Sequence, residues 1–99
     1  IRGMAKAINN VNDAISMKND IPKYYFDRAM AFQAIGDFPS AINDLDICIS
    51  LDPTMSDAYY KRGVIRYISG LNEAACIDLS KAIDLGNTNA IDIIRVYCK

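Results

Sequence analysis

Apolar residues recur along most of the chain at intervals of three and four positions, the spacing of one face of an α-helix. A clear stripe in the middle of the chain consists of Ala41, Ile42, Leu45, Cys48 and Ile49. Strict alternation of apolar and polar residues, which would indicate a half-buried strand, is absent from the sequence. The pattern therefore predicts an all-α protein.

Glycine, proline and asparagine residues divide the apolar stripes into six segments. Gly36 and Gly70 interrupt two stripes, and the pairs Asp52-Pro53 and Gly86-Asn87 follow two others. These residue types end helices because they adopt turn conformations or cannot continue the helical hydrogen bonding. We therefore predict helices at residues 3–18, 22–35, 38–51, 56–69, 72–85 and 89–98.

The sequence repeats itself with a period of 34 residues. A shift by this distance superposes Tyr25 on Tyr59, Arg28 on Arg62, Gly36 on Gly70, Ala41 on Ala75, Asp44 on Asp78 and Leu45 on Leu79. Asp20, Thr54 and Thr88 also occupy equivalent positions, and we predict that each caps the following helix through a side-chain oxygen. A period of this length indicates stacked helical hairpins that share a core with their neighbours.

The order of small and large residues within the period resembles the tetratricopeptide repeat family. The resemblance is carried by Tyr25, Ala29, Phe32, Gly36, Phe38, Ala41, Leu45, Cys48 and Pro53 in one unit and by Tyr59, Gly63, Gly70, Ala75, Leu79 and Ala82 in the next. Small residues such as Ala29 and Gly63 would let paired helices approach closely. Arg66 departs from the pattern, because the family usually has an aromatic residue there. The resemblance implies an α–α superhelix, a right-handed solenoid of helix-turn-helix repeats.

The resemblance also implies a division of residues 1–99 into one array of repeats. Residues 1–21 would form the second half of one repeat, residues 22–55 and 56–89 two further repeats, and residues 90–99 a terminal capping helix. The first helix would lack its hairpin partner. The last helix either packs on the array or exposes a self-association surface made of Ile91, Ile94, Val96 and Tyr97.

A binding function follows from the resemblance, since in this family the first helix of each unit lines a concave groove that takes a peptide or partner protein. The corresponding positions hold Phe26, Met30, Gln33, Tyr60, Val64, Tyr67 and Ile94. Aromatic and Met side chains supply adaptable apolar contacts and are typical of binding hot spots. The alternative is that Phe26, Met30 and Tyr60 fill the core between adjacent hairpins.

The charge pattern narrows the range of partners. The 11 Lys and Arg residues and the 12 Asp and Glu residues are scattered, without the basic stripe that binds a phosphate backbone. No apolar run approaches the roughly 18 residues of a membrane span. We therefore expect a protein or peptide ligand, a homodimer as an alternative, and neither nucleic acid nor membrane. The first residue is not Met and the sequence looks like a piece of a longer protein, so the localisation stays unassigned.

The residues that usually carry catalysis or bind metals are sparse. The sequence contains no histidine, the usual general base and a common metal ligand. Cys48, Cys76 and Cys98 lie far apart without a CxxC pair, so we expect three reduced thiols, buried or half-buried as apolar spacers, rather than a disulfide or a zinc site. We predict no enzyme, no cofactor and no metal. The function is expected to be a non-catalytic interaction scaffold, with self-association or a spacer role in a larger protein as the alternative.

The charged residues that recur with the period have a structural interpretation. Asp44 and Asp78 are expected to be solvated carboxylates on polar helix faces. Arg28 and Arg62 suggest a phosphate or carboxylate site, but we favour a role in which they pack their stems on the hairpins and pair with nearby acids.

Overall fold

The computed structural model describes residues 2–98. Within these residues the chain forms six α-helices: α1 (Arg2–Met17), α2 (Pro22–Ala34), α3 (Phe38–Leu51), α4 (Ser56–Ile68), α5 (Asn72–Asp84) and α6 (Ala90–Tyr97). No strand occurs among them, and the predicted all-α class is confirmed. Each predicted helix is found with both ends within one residue of the expected position. Ile1, the first residue of the predicted half-repeat 1–21, and Lys99, the last residue of the predicted capping segment 90–99, lie outside the described residues.

The helices form two compact units, which we call unit 1 (α1, α2 and α3) and unit 2 (α4, α5 and α6). In unit 1 the central helix α2 packs against α1 and α3, and in unit 2 α5 packs against α4 and α6. The hairpins α2–α3 and α4–α5 are the most extensively packed pairs of their units. The division into repeats at the residue numbers given above stays a prediction.

A glycine in the left-handed backbone region closes the turn inside each hairpin. Gly36 has a φ of 83° and Gly70 a φ of 84°, conformations that a residue with a Cβ rarely adopts. The N–H of Gly36 donates to the carbonyl of Gln33, and the N–H of Asp37 donates to the carbonyl of Phe32. This pair of bonds is the Schellman motif, which satisfies the last carbonyls of a helix. The glycines that interrupt the apolar stripes therefore set the hairpin turns.

The predicted helix caps are wrong. They were expected at Asp20, Thr54 and Thr88, but the N-cap residues of α2, α4 and α6 are Ile21, Met55 and Asn89. Each helix begins two residues after the expected cap, whereas a cap directly precedes the first helical residue. A side-chain cap occurs instead at α3, where the N–H of Ser40 donates to Oδ1 of Asp37 at 3.2 Å.

Small and branched residues form the core where the helices of a hairpin meet. The residues with no exposed surface are Ala29, Ala41, Leu45 and Cys48 in unit 1 and Ala58, Ile65, Ala75, Leu79, Ala82 and Ala90 in unit 2. Gly63 lies so close to α5 that an added Cβ would be 2.9 Å from Cγ of Leu79. The expected close approach of the paired helices at Ala29 and Gly63 is thus present. The apolar stripe of α1 is half-buried.

Candidate functional site

Three of the predicted site residues share one face of α2. Phe26, Met30 and Gln33 are spaced by four and three residues, which places them on the same side of a helix. All three are half-buried. The neighbouring Lys23 and Asp27 form an ion pair with Nζ and Oδ1 3.3 Å apart. This face of unit 1 thus presents apolar groups, one amide and a neutralised pair of charges.

Three further site residues share one face of α4 in unit 2. Tyr60, Val64 and Tyr67 have the same spacing as the α2 residues and are also half-buried. The Tyr67 ring contacts the Tyr97 ring of α6, with centroids 4.9 Å apart and an angle of 48° between the planes. Ile94, the predicted site residue of α6, is half-buried. A pair of tyrosines therefore links the α4 face to α6, and the role of these side chains in binding stays a prediction.

Tyr97 was missed as a candidate for this face. Residue spacing assigns Tyr97 to a self-association surface, because spacing alone does not orient α6 against α4. In the structure its side chain remains 55% exposed while its ring touches Tyr67. An exposed aromatic ring beside another aromatic ring is a typical binding feature.

The expectation that Asp44 and Asp78 are solvated is wrong, since they are 1% and 2% exposed. Nε and Nη2 of Arg28 donate to the two carboxylate oxygens of Asp44, both at 2.7 Å. Arg62 makes the same bidentate contact with Asp78, with donor–acceptor distances of 2.9 and 2.8 Å. We call this contact between an arginine and an aspartate a fork. Such bidentate, charge-assisted bonds compensate for the loss of solvation. The prediction that both arginines pair with nearby acids is confirmed.

The two forks differ in their outer partners. Arg28 also donates from Nη1 to Oδ1 of Asn12 at 2.8 Å, and its bonds to Asp44 raise the pKa of the guanidinium above its ordinary value. In unit 2, Asp78 accepts an additional bond from Nη1 of Arg66 at 2.7 Å. The departure of Arg66 from the family pattern therefore has a structural role. The recurrence of an arginine and an aspartate at a separation of 16 residues is a sequence signal for this contact, but the expectation of solvated aspartates overlooked it.

The expectation of three reduced thiols is also wrong, because Cys76 and Cys98 form a disulfide. Cys76 lies on α5 and Cys98 directly follows α6, and the packing of α6 on α5 brings their Cα atoms to 5.8 Å. Two hollows of about 490 and 370 Å³ adjoin the disulfide, and Ile77 lines both. Cys48 is a buried thiol, as expected of an apolar spacer. Burial, with a smaller contribution from Asp52, raises its pKa to about 11.

Residues 2–98 contain neither a metal-binding cluster nor a membrane-spanning helix. No group of three or more His, Cys, Asp or Glu side chains in this range is arranged to hold a metal ion. None of the helices there is long and apolar enough to cross a membrane.

The fold and these contacts define a helical-repeat protein. The hairpins α2–α3 and α4–α5 carry the same glycine turn and the same arginine–aspartate fork one period apart. Each hairpin also presents an aromatic side chain at the same position of its first helix, Phe26 in α2 and Tyr60 in α4.

No protein-family model matches the chain, but individual proteins do. It is 29% identical over 89 residues to the small glutamine-rich tetratricopeptide repeat-containing protein 2 of Saccharomyces cerevisiae, which covers 90% of this chain. The chain spans 26% of the length of that yeast protein.

Solved structures agree with this relationship. The chain is 26% identical to the tetratricopeptide repeat domain of Arabidopsis OM64, with a TM-score of 0.91 over 97% of this chain and 81% of that one. It is also 26% identical to the second such domain of human RPAP3, solved in complex with the HSP70 peptide SGPTIEEVD, with a TM-score of 0.87 over 97% and 82% of the two chains. The resemblance to the tetratricopeptide repeat family is confirmed by these relatives, and the predicted α–α superhelix class is confirmed by the solved structures.

Proposed function

We propose that the chain is a non-catalytic interaction module whose first helices, α2 in unit 1 and α4 in unit 2, each present a face that binds a peptide segment of a partner protein. The observation that carries the proposal is the tyrosine pair of unit 2, in which Tyr97 contacts Tyr67 and is still 55% exposed. Large aromatic side chains give much contact area at a low entropic cost of ordering. Phe26 and Met30 of α2 add adaptable apolar groups in unit 1.

The related structures support a peptide as the ligand. The second tetratricopeptide repeat domain of RPAP3 was solved with a bound peptide. Its fold matches 97% of the length of the present chain. The sequence has no histidine, which is the usual general base, and this supports a non-catalytic role. Among the described residues, the buried carboxylates Asp44 and Asp78 are both held by arginines.

Selection from a library of random short peptides displayed on phage tests the proposal. We expect clones that bind the chain and that lose at least about tenfold in affinity, or about 1.4 kcal/mol, when Tyr60 and Tyr67 are both replaced by Ala. Leu51→Ala is the matched control, because Leu51 is an apolar residue, 40% exposed, at the end of α3, which is a second helix of a hairpin. Circular dichroism accompanies each measurement. Unchanged affinity in the double variant, or a loss of helicity that parallels the loss of binding, would contradict the proposal.

Self-association, or a spacer role in a larger protein, is the second candidate function. Ile91, Val96 and Tyr97 of α6 are 37%, 56% and 55% exposed, so this short helix presents apolar groups to solvent. Light scattering over a concentration series tests this role. A molar mass that rises with concentration supports it, and a strict monomer at every concentration excludes it.

A further inference from the structure

The arginines of the first helices are held by buried carboxylates. Arg28 of α2 is paired with Asp44, and Arg62 and Arg66 of α4 are both paired with Asp78. The two aspartate side chains are 1% and 3% exposed. Turning Arg28 towards an outside carboxylate would leave the buried Asp44 without its charged partner, and turning Arg62 or Arg66 would leave the buried Asp78 with one partner instead of two. Both changes are unfavourable. These three cations are therefore not available to a ligand.

Of the remaining cations of α2, α4 and α6, Lys23 and Arg95 are exposed and Lys61 is half-buried, and each has a partner close by. Lys23 lies 3.3 Å from Asp27 and Arg95 lies 3.7 Å from Asp92, so an approaching carboxylate meets a negative charge beside each positive one. Lys61 is placed differently, with Nζ 5.6 Å from the centroid of the Tyr60 ring. Among the described residues of these three helices, Lys61 is thus the cation whose contact is an aromatic ring rather than a carboxylate.

The first helices instead offer apolar and aromatic groups. Phe26 and Met30 lie on α2, and the rings of Tyr67 and Tyr97 meet between α4 and α6. Such a surface gains affinity from burying apolar side chains of a ligand. It offers little electrostatic compensation to a ligand that must lose the solvation of several carboxylates.

We infer that the ligand is an uncharged peptide segment rich in apolar side chains, and that the chain discriminates against a peptide that ends in clustered carboxylates. The inference rests on the proposed peptide-binding function and specifies its ligand. The peptide bound by the RPAP3 domain is of the opposite kind, since SGPTIEEVD carries two glutamates and an aspartate next to its carboxyl end. Similar folds would then serve ligands of different charge.

Three labelled peptides of equal length test the inference by fluorescence anisotropy: SGPTIEEVD, the amidated neutral analogue SGPTIQQVN, and the amidated apolar analogue SGPTIFFVL. We expect the apolar peptide to bind at least about tenfold more tightly than SGPTIEEVD, with an affinity that added salt does not weaken. The neutral analogue should bind no more weakly than the acidic parent. Tighter binding of SGPTIEEVD, lost on addition of salt, would overturn the inference and leave the proposed function standing. If none of the three binds and the phage library also yields no clone, the proposed function fails, and the inference with it.

Two variants identify the cause of the selectivity. Lys61→Met removes the half-buried cation whose contact is the Tyr60 ring, and we expect affinities for the three peptides to change by less than about twofold. Met30→Lys adds a cation to the α2 face, and we expect it to raise the affinity for SGPTIEEVD several-fold at low salt. A tenfold loss of SGPTIEEVD binding in Lys61→Met, or no gain in a folded Met30→Lys variant, would contradict the inference.

Discussion

Asp78 connects α4 to α5 by accepting hydrogen bonds from two arginines, Arg62 and Arg66. Asp78→Asn keeps the shape of the side chain but removes its charge, which leaves two guanidinium groups partly buried without a counter-charge. We expect the free energy of unfolding to fall by about 3–5 kcal/mol. Urea denaturation followed by circular dichroism measures it, because urea does not screen charges as guanidinium chloride does.

Asp84→Asn is the matched control for Asp78→Asn. Asp84 lies on the same helix but is exposed, and substitutions at such positions usually change stability by less than about 0.5 kcal/mol. Equal effects of the two substitutions would show that the buried ion pairs do not stabilise unit 2.

Cys48 provides a test of burial by chemical reactivity. Its pKa is raised from 9.0 to about 11, first by burial and then by Asp52, so folding favours the protonated thiol. The stabilising effect of this shift is present below pH 9.0 and disappears as the pH rises towards about 11. At pH 8 we expect iodoacetamide to modify the native chain about 100-fold more slowly than the urea-unfolded chain, because the thiolate reacts. Mass spectrometry of the Cys48 peptide follows the reaction, and equal rates would refute the prediction.

The limits of sequence-based prediction are visible at these residues. The pairing of Arg28 with a nearby acid could be predicted, although Asp44 was not identified as that acid. The burial of Asp44 could not, since an aspartate at a polar helix position is usually solvated. Only the bidentate geometry of the fork, which depends on the packing of α3 against α2, makes burial of the carboxylate favourable.

At the scale of helix packing, Gly63 determines how closely α4 approaches α5. An added Cβ would lie 2.9 Å from Cγ of Leu79 and 3.2 Å from the carbonyl oxygen of Ala75. We expect Gly63→Ala to lower the free energy of unfolding by about 1–2 kcal/mol, since the cost of overpacking exceeds the gain of about 1 kcal/mol in helix propensity. Thermal and urea unfolding measure the change. The equivalent residue of α2 is Ala29, which is fully buried, so the α4–α5 hairpin can adopt a wider spacing and the effect stays moderate.

Gly3→Ala is the control for Gly63→Ala. Gly3 lies in α1, and an added Cβ there would meet no atom within 4 Å. The same substitution should therefore leave stability unchanged or raise it by up to about 1 kcal/mol. A stabilising effect at Gly63 would show that close approach is not required at that position.

The disulfide secures the end of α6. Ala90 at the start of the helix is fully buried, whereas Val96 and Tyr97 near its end are 56% and 55% exposed. We expect the double variant Cys76→Ser, Cys98→Ser to release this end, since a disulfide that closes a loop of 22 residues contributes about 3 kcal/mol. Hydrogen exchange measured by NMR should become faster for the amides of α6 and stay unchanged in α2. Unchanged exchange in α6 would show that packing alone holds the helix.

Helices were more predictable than the contacts that join them. Helix ends fell within one residue of expectation because Gly36 and Gly70 mark the turns with a backbone conformation that other residues avoid. The caps at Asp20 and Thr88 were placed one position too early, since a polar residue near a helix start does not specify the exact first turn. The disulfide depends on the packing of α6 against α5, which residue spacing does not reveal.

At the scale of the whole molecule, sequence reasoning identified the class of function better than the binding surface. The period and the small residues predicted the repeat family, and the regular spacing predicted which residues share a face of α2 and of α4. The contact between Tyr67 and Tyr97 was not predicted, because it depends on the direction in which α6 leaves α5. The net charge of −1 at neutral pH explains why no charged partner class stood out.

Peptide binding and self-association make separable predictions for the whole chain. The first uses the faces of α2 and α4 together with the Tyr67–Tyr97 pair. The second uses exposed apolar groups of α6 other than Tyr97, such as Val96, which is 56% exposed. A net charge of −1 provides little repulsion between copies, so apolar contacts would decide self-association. We expect Val96→Lys to keep the molar mass monomeric in light scattering at all concentrations and to leave peptide affinity within about twofold, because a lysine in an apolar interface loses solvation without gaining a partner.

Tyr60→Ala should have the reverse effect. Tyr60 lies on α4, and its ring has Nζ of Lys61 5.6 Å from its centroid. Its removal should weaken peptide binding about tenfold and leave any concentration dependence of the mass unchanged. Two variants with opposite effects would assign the two activities to different surfaces. If Val96→Lys abolishes peptide binding as well, the ligand lies across α6, and the tyrosine pair together with Val96 forms its site.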